Sequence, residues 1–207
     1  MIRNIVFDMG GVLIRFDRDL FMERLGVPEE DKLLLMREVF LAPEWVMMDR
    51  GTLTDQQAGE IMCSRIPERL HEAVWKLVTF WDRPILEIDG MYDLVEELKG
   101  MGYGIYLLSN ASIRQHDYWP RIPASKFFDG TLVSADVKLV KPMPEIYRKL
   151  FSTFSLNADE CFFIDDSTAN IEAALYVGMH GAVFFNDMAR LREELNRAGV
   201  PVRRILV

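Results

Sequence analysis

Short apolar runs alternate with amphipathic stretches along most of this 207-residue chain. The apolar runs are bounded by turn residues, which is typical of buried strands. The amphipathic stretches carry apolar residues at i, i+3, i+4 and i+7, as between Met91 and Leu98, and these predict helices. Strands that alternate with helices predict an α/β fold, a Rossmann-like three-layer core with a parallel five-stranded sheet. The predicted strands begin near Ile5, Tyr103, Thr131, Cys161 and Gly181.

Residues 15–88 differ from the rest because they contain helical patterns with few strand-like runs. Pro28 and Pro67 are placed to open helices, and Thr54 followed by Gln57 is typical of a capping box. We therefore predict a small α-helical cap of residues 15–88, inserted into a core that is formed by residues 1–14 and 89–207.

Composition narrows the class of protein. The net charge of −8 argues against a nucleic-acid partner, because no basic stripe offsets the acidic surface. The two cysteines, Cys63 and Cys161, lack metal-site spacing and are typical of reduced thiols in a cytoplasmic protein. No apolar stretch is long enough for a membrane span, and Asp8 interrupts the apolar run that a signal peptide would need. A monomer and a homodimer remain equally compatible with the sequence.

Three of the predicted strands end in polar side chains, which are disfavoured in the interior of a buried strand. Asp8 ends the first, Ser109 and Asn110 end the second, and Asp165 and Asp166 end the fourth. In a parallel α/β sheet, ligands bind at the carboxyl ends of the strands, near the point where the strand order reverses. For Asp8 alone, the alternative is a side chain that caps the following turn. The recurrence of polar residues at three strand ends favours a ligand site.

The residue types at these ends indicate phosphoryl transfer. Asp8, Asp165 and Asp166 repel one another and require a cation, and Mg²⁺ binds carboxylates while keeping positions for water and phosphate oxygens. Lys141 adds a positive charge, and the backbone N–H groups after Ser109 are suited to phosphate oxygens. A carboxylate is ionised at neutral pH, so Asp8 is the candidate nucleophile. Water would then hydrolyse the aspartyl phosphate.

Four short motifs, in their order along the chain, resemble those of the haloacid dehalogenase-like hydrolase superfamily. They are residues 7–12, 107–110, 141–147 and 162–167, with Asn170 following the last. The helical stretch after the first motif resembles the small helical C1-type cap that one subfamily carries there. The resemblance covers the whole chain and implies a Mg²⁺-dependent phosphatase that acts on a small phosphorylated metabolite.

The resemblance also implies roles for individual residues. Asp8 is the nucleophile and a Mg²⁺ ligand, Asp166 is the second carboxylate ligand, and Asp165 contributes directly or through water. The backbone carbonyl of Gly10 completes the protein ligands, and Asn170 supports the site from outside. The phosphate is held by side chains and backbone groups of Ser109, Asn110, Lys141, Gly10 and Gly11.

One position departs from the superfamily pattern. Two residues after the nucleophile, the usual pattern has a second Asp that protonates the leaving group and activates water, whereas this chain has Gly10. A phosphomutase is therefore not expected. Two alternatives stay open: a weakly active phosphate-binding or regulatory protein and, less favoured, a haloacid dehalogenase. A dehalogenase carries a bulky aromatic residue at this position and needs no metal.

Gly at this position also occurs in a metal-dependent branch that resembles bacterial α-D-glucose-1-phosphate phosphatases. Residues 49–54 of the cap and His116 are further points of similarity. An anomeric oxygen is a better leaving group than an ordinary alkoxide, so a hexose 1-phosphate depends less on the missing acid. We therefore expect a sugar phosphate of this kind among the substrates.

Three further residues are weaker candidates for the site. Histidine is a common general acid, so His116 is a candidate replacement for the missing acid, although a His beside aromatic residues is more often packed. Arg50 is a candidate substrate contact in the cap, with a bond across the helix junction as the alternative. Asp17 lies where the chain enters the cap, and its alternative role is to cap a helix.

Overall fold

Five parallel strands form a single sheet in the computed structural model, which describes residues 1–204. The strands are β1 (Asn4–Phe7), β2 (Gly104–Ser109), β3 (Gly130–Val133), β4 (Cys161–Asp165) and β5 (His180–Val183). Their order across the sheet is β3-β2-β1-β4-β5. The helices are α1 (Arg18–Arg24), α2 (Glu29–Leu35), α3 (Pro43–Asp49), α4 (Asp55–Cys63), α5 (His71–Thr79), α6 (Met91–Gly100), α7 (Gln115–Tyr118), α8 (Ser134–Val137), α9 (Pro144–Phe154), α10 (Thr168–Tyr176) and α11 (Met188–Arg197).

The strand order reverses beside β1. From β1 the chain moves outward to β2 and β3, and then returns to place β4 on the other side of β1. Phe7 at the end of β1 is paired with Leu107 of β2 and with Ile164 of β4. The residues that follow Phe7 therefore lie at the switch point, where the loops after β1, β2 and β4 converge.

Helices cover both faces of the sheet, as the alternation of side chains along each strand requires. Ile5 and Phe7 pack on one face with α6 and α11. Val6 points to the opposite face and packs with α9 and α10. The three central strands are thus largely buried on both sides, and the architecture is the predicted three-layer α/β fold with a parallel five-stranded sheet.

Helices α1 to α5 pack around a hydrophobic cluster of their own, which extends from Phe21 to Val78. We call residues 15–88 the helical segment. The chain leaves and re-enters the sheet layer side by side, because Arg15 N donates to Leu86 O over 2.8 Å and Ile88 N donates to Leu13 O over 3.0 Å. The helical segment therefore lies over the loop that follows β1.

Some local predictions agree with the structure of residues 1–204, and others do not. The capping box of Thr54 and Gln57 is present at the start of α4. The helix that was predicted to open at Pro67 begins as a 3₁₀ turn, and α5 begins at His71. Residues 36–40 form a π-helical turn that no pattern predicted, and α7 and α8 were also missed because each is only one turn long. Over residues 1–204, no helix has the length and apolarity to cross a membrane.

Candidate active site

Asp8 follows the last residue of β1 and keeps the strand direction, because its N–H donates to Ile164 O over 2.8 Å. Its carboxylate is buried, with 9% of the residue exposed. Burial raises the pKa of Asp8, the Lys141 ammonium opposes that rise, and the Asp165 carboxylate adds to it. Asp8 is therefore a desolvated carboxylate whose charge depends on nearby cations.

Lys141 lies between two of these carboxylates. Its Nζ is 2.7 Å from an oxygen of Asp8 and 2.7 Å from an oxygen of Asp165, and its side chain is 1% exposed. The amide of Asn110 holds the Lys141 backbone, since it donates to the carbonyl over 3.0 Å and accepts from the N–H over 2.8 Å. Burial lowers the pKa of Lys141, but the two carboxylates raise it further, so the ammonium stays charged. The Asn110 side chain is thus committed to Lys141.

Asp165 and Asp166 are adjacent but differ in their bonding. Asp165 is fully buried and accepts hydrogen bonds from Lys141, from Asn170 Nδ2 over 2.9 Å and from Ser167 N over 2.8 Å. Asp166 is exposed toward the cavity, and burial of its carboxyl and the charge of Asp165 raise its pKa. Asp165 therefore orients Lys141, whereas Asp166 is available to a ligand.

Three carboxylates are positioned to share one cation. One oxygen each of Asp8, Asp165 and Asp166 lies within 4.8 Å of the other two. Gly11 makes this approach feasible: it has φ of +79°, and a Cβ there would lie 2.2 Å from Asp166 Oδ2. An all-oxygen donor set of this kind fits Mg²⁺. The Gly11 N–H itself donates to Ile14 O over 2.8 Å, so this residue supplies space rather than a phosphate contact.

Ser109 at the end of β2 carries an unsatisfied hydroxyl. The residue is 1% exposed, and its Oγ has no hydrogen-bond partner among residues 1–204. Such a group destabilises the fold by about 1–3 kcal/mol unless a ligand or water completes it. A phosphate oxygen would satisfy this hydroxyl.

A cavity of about 550 Å³ opens between the carboxyl ends of the strands and the helical segment. We call its two sides the sheet wall and the helical wall. The sheet wall includes Asp8, Gly10, Asn110, Lys141, Asp166 and Asn170. The helical wall combines aromatic side chains with a few charged ones and includes Phe16, Phe40, Trp45, Trp81, Arg18, Asp49 and Asp55.

The sequence of this chain matches the model of the haloacid dehalogenase-like hydrolases over residues 2–178. The chain belongs to this family. The predicted superfamily is thereby confirmed, and its expected motifs are the ones that line the sheet wall.

Several proteins of the family are similar over most of this hydrolase. A sesquiterpene phosphatase of Aspergillus oryzae is 27% identical over 201 residues, which cover 91% of this chain and 92% of that protein. A D-ribitol-5-phosphate phosphatase of Bacteroides thetaiotaomicron is 25% identical, with 86% and 89% covered. These relatives confirm the prediction of a phosphatase of this family, whereas the glucose-1-phosphate branch stays a prediction.

Solved structures of the family share the fold. An enzyme from Bacteroides thetaiotaomicron, determined in complex with magnesium and inorganic phosphate, superposes with a TM-score of 0.72 at 22% identity. The superposition covers 92% of this hydrolase and 99% of that chain. The helical segment is therefore part of a shared architecture.

Three predicted site residues of the hydrolase lie elsewhere. His116 is half-exposed, and its Nε2 is 3.1 Å from both oxygens of Asp136. Arg50 is exposed and does not line the cavity. Asp17 caps α1 by accepting from Leu20 N over 3.0 Å. The side chains of His116 and Asp17 are engaged by their own surroundings, and in the described part of the chain none of the three lines the cavity.

Sequence reasoning assigned no role in the site to two residues near the cavity. Asp49 ends α3 and faces the cavity, and Ser134 is buried where the helical segment meets the sheet layer. Ser134 Oγ accepts from Ala111 N over 2.9 Å and donates to the backbone carbonyl of Asp49. No periodicity marks either residue, because their proximity arises only when the helical segment folds over the sheet.

Proposed function

We propose that this hydrolase is a Mg²⁺-dependent phosphatase of small phosphorylated metabolites that works through an aspartyl phosphate on Asp8. The observation that supports this most strongly is the buried Asp8 carboxylate, which lies 2.7 Å from Lys141 and opens onto the cavity. A free nucleophilic carboxylate beside a fixed cation is what attack on an anionic phosphate requires.

The oxygen donors at the sheet wall fit a magnesium ion. Asp8 and Asp166, with the backbone carbonyl of Gly10, would hold the ion, and Asp165 would support it from behind. Bound Mg²⁺ supplies positive charge that offsets the repulsion between the carboxylate and the phosphate.

The side chains of this hydrolase would divide the remaining tasks. Asp8 attacks phosphorus and carries the phosphoryl group, and Lys141 neutralises the phosphate oxygens while it keeps Asp8 ionised. Ser109 Oγ donates to a phosphate oxygen, which satisfies its unpaired hydroxyl. Asn110 and Asp165 keep Lys141 in place through its backbone and its ammonium. Because Asp8, Lys141 and Asp165 are buried and mutually bonded, little reorganisation precedes the reaction.

The helical wall is expected to select the substrate. Its aromatic rings pack closely, with centroid distances of 5.0 Å between Phe16 and Trp81 and between Phe40 and Trp45. Such a surface suits an organic group with an apolar face, either a sugar ring or a hydrocarbon. A hexose 1-phosphate remains our proposed sugar substrate, because its anomeric oxygen is a good leaving group.

Phosphate release from 4-nitrophenyl phosphate, hexose 1-phosphate, hexose 6-phosphate and an alkyl phosphate tests this function. We expect turnover that requires Mg²⁺ and disappears in Asp8→Asn. Asp136→Asn is the matched control, because that carboxylate pairs with His116 outside the cavity.

Two results would contradict the proposal. Tight binding of a phosphate analogue without turnover would favour a regulatory protein, and metal-independent halide release would favour a dehalogenase. Equal rates on hexose 1- and 6-phosphates would remove the leaving-group argument for anomeric phosphates but not the phosphatase function.

A further inference from the structure

The proposed reaction needs a group that donates a proton to the leaving oxygen, and none of the roles assigned above supplies it. An alkoxide is a poor leaving group unless it is protonated as it departs, and Gly10 has no side chain that could do so. The carrier must therefore be another titratable group that faces the cavity. Asp8, Lys141 and Asp166 are committed to the nucleophile, the phosphate charge and the cation.

Two further carboxylates line the helical wall, and they differ in their bonding. Asp55 lies 3.8 Å from Arg114 and accepts a hydrogen bond from Ser112. The carboxylate of Asp49 makes no ion pair or hydrogen bond with any of residues 1–204. Asp49 is therefore the cavity carboxyl that is free to exchange a proton with a bound molecule.

The backbone of Asp49 is fixed although its carboxylate is free. Ser134 Oγ donates to the Asp49 carbonyl and accepts from Ala111 N, which belongs to the loop after β2. Lys138 Nζ donates to the carbonyl of Gly51, two residues further on. These bonds tie the end of α3 to the sheet wall and hold its last side chain at the cavity.

We infer that Asp49 is the proton donor to the leaving oxygen and the proton acceptor for the attacking water, a role that rests on the proposed function. In-line transfer places the leaving oxygen on the side of phosphorus away from Asp8. Asp8 lines the cavity from the sheet wall, and Asp49 lines it from the helical wall.

The two half-reactions balance with Asp49 in this role. In the first, Asp8 Oδ bonds to phosphorus, the P–O bond to the alcohol breaks, and the Asp49 proton moves to the alcohol oxygen. In the second, Asp49 takes a proton from water, the water oxygen bonds to phosphorus, and the bond to Asp8 breaks. As phosphate leaves, Asp8 is regenerated as a carboxylate and Asp49 as a carboxylic acid.

The electrostatic surroundings support proton exchange near neutrality. Burial raises the pKa of Asp49 to about 7, with the charges of Asp8 and Asp55 acting in the same direction and Lys141 opposing them. Tyr118 also lines the cavity, where burial raises the pKa of its phenol and the charge of Asp49 acts in the same direction. With this acid present, the enzyme is not restricted to anomeric phosphates.

Asp49→Asn tests the role with two phosphates of similar size, 4-nitrophenyl phosphate and 2-phenylethyl phosphate. Nitrophenolate leaves without protonation, so the first half-reaction with this ester should stay fast. The second half-reaction should slow by about 10²- to 10⁴-fold with both esters. Rapid mixing should therefore show a burst of one equivalent of nitrophenolate, whereas the alcohol should appear slowly and without a burst.

Asp136→Asn is the matched control, because it removes a negative charge outside the cavity, and it should give no burst. The inference is overturned if Asp49→Asn slows the first half-reaction equally for both esters, or if its turnover stays near that of the wild type. Wild-type turnover of the aryl ester but not of the alkyl ester would also overturn it. Turnover of neither ester would overturn the proposed function, and this role with it.

The wild-type enzyme provides a second test that needs no variant. The quantity to measure is kcat/KM for the alkyl ester divided by kcat/KM for the aryl ester. Titration of Asp8 changes both values by the same factor, so it does not change this ratio. Because the donor must be protonated, we expect this ratio to fall as the pH rises through the pKa of Asp49, by about tenfold for each pH unit above it. A ratio that stays constant between about pH 6 and pH 9 would overturn the inference.

Discussion

The two walls of the cavity hold their polar groups in different ways. On the sheet wall, Lys141 bridges Asp8 and Asp165. The Asn110 amide holds the Lys141 backbone, and Asn170 donates to Asp165. On the helical wall, aromatic rings pack against one another, and the Asp49 carboxylate has no partner among residues 1–204. The first wall is a connected polar network, whereas the second is a largely aromatic surface that carries this carboxylate.

This difference matches the two parts of a phosphate ester. The phosphoryl group is the same in every substrate, so a rigid network at the strand ends can be complementary to it. The leaving group varies, and the helical segment meets it with apolar surface and a titratable carboxyl. We expect changes in the sheet wall to affect all substrates alike and changes in the helical wall to discriminate between them.

The largest effect is expected from replacement of Lys141, whose ammonium lies between Asp8 and Asp165. Lys141→Ala leaves the buried Asp8 and Asp165 unpaired, which should destabilise the fold by about 3–5 kcal/mol. Turnover should fall by about 10²- to 10³-fold or more, by the same factor for aryl and alkyl esters. Denaturant unfolding and steady-state kinetics measure the two effects.

The exposed Lys149 offers a matched control for this variant, because Lys149→Ala removes a lysine from α9 without touching the cavity. If Lys141→Ala discriminated strongly between aryl and alkyl esters, the division of labour between the walls would be wrong.

A smaller effect is expected from a side chain added at Gly11, beside the Asp166 carboxylate. In Gly11→Ala, the new Cβ would lie 2.2 Å from Asp166 Oδ2, so this carboxylate must move. The Mg²⁺ concentration for half-maximal activity should rise about 10- to 100-fold. Isothermal titration of Mg²⁺ checks this without turnover.

Gly102→Ala separates crowding from backbone strain, because Gly102 also has a left-handed φ of +86° but has nothing within 4 Å of the new Cβ. Equal loss of Mg²⁺ affinity in both variants would show that Asp166 is not the ligand that Gly11 admits.

The contrast between the walls also explains what the sequence could predict. Asp8 and Asp165 end apolar runs, so their meeting at the carboxyl edge follows from the parallel sheet alone. The sheet wall was predicted as a set of residues, but not its bonding. Asn110 was expected to hold phosphate, and the bonds between its amide and the Lys141 backbone were not predicted. Such detail depends on how two loops approach each other.

The helical wall was largely beyond sequence reasoning. Asp49 lies in the stretch 49–54 that resembles one branch of the family, but nothing local marks its carboxylate as a group of the site. Its position depends on Ser134, which is separated from it by 85 positions in the chain. His116 lies near a motif and was therefore the candidate for the missing acid, but its ring pairs with Asp136. Proximity in sequence was a poor guide there, since the segment folds over the sheet as a unit.

The smallest effect should come from the aromatic surface. Trp45→Ala removes a ring that contacts Phe40, and it should raise KM about tenfold for esters with an apolar leaving group, with little change in kcat. Steady-state kinetics on a series of alkyl phosphates of increasing length measure this. An unchanged KM across the series would mean that Trp45 only packs within the helical segment.

The central claim is that Asp8 itself carries the phosphoryl group during turnover. Acid quenching of Asp49→Asn during the burst with 4-nitrophenyl phosphate, followed by peptide mass spectrometry, tests this directly. We predict that the N-terminal peptide gains the mass of one phosphoryl group on Asp8, and that the gain is absent when Asp8→Asn is added. Phosphate release without modified Asp8, or with the phosphoryl group on another residue, would contradict the account.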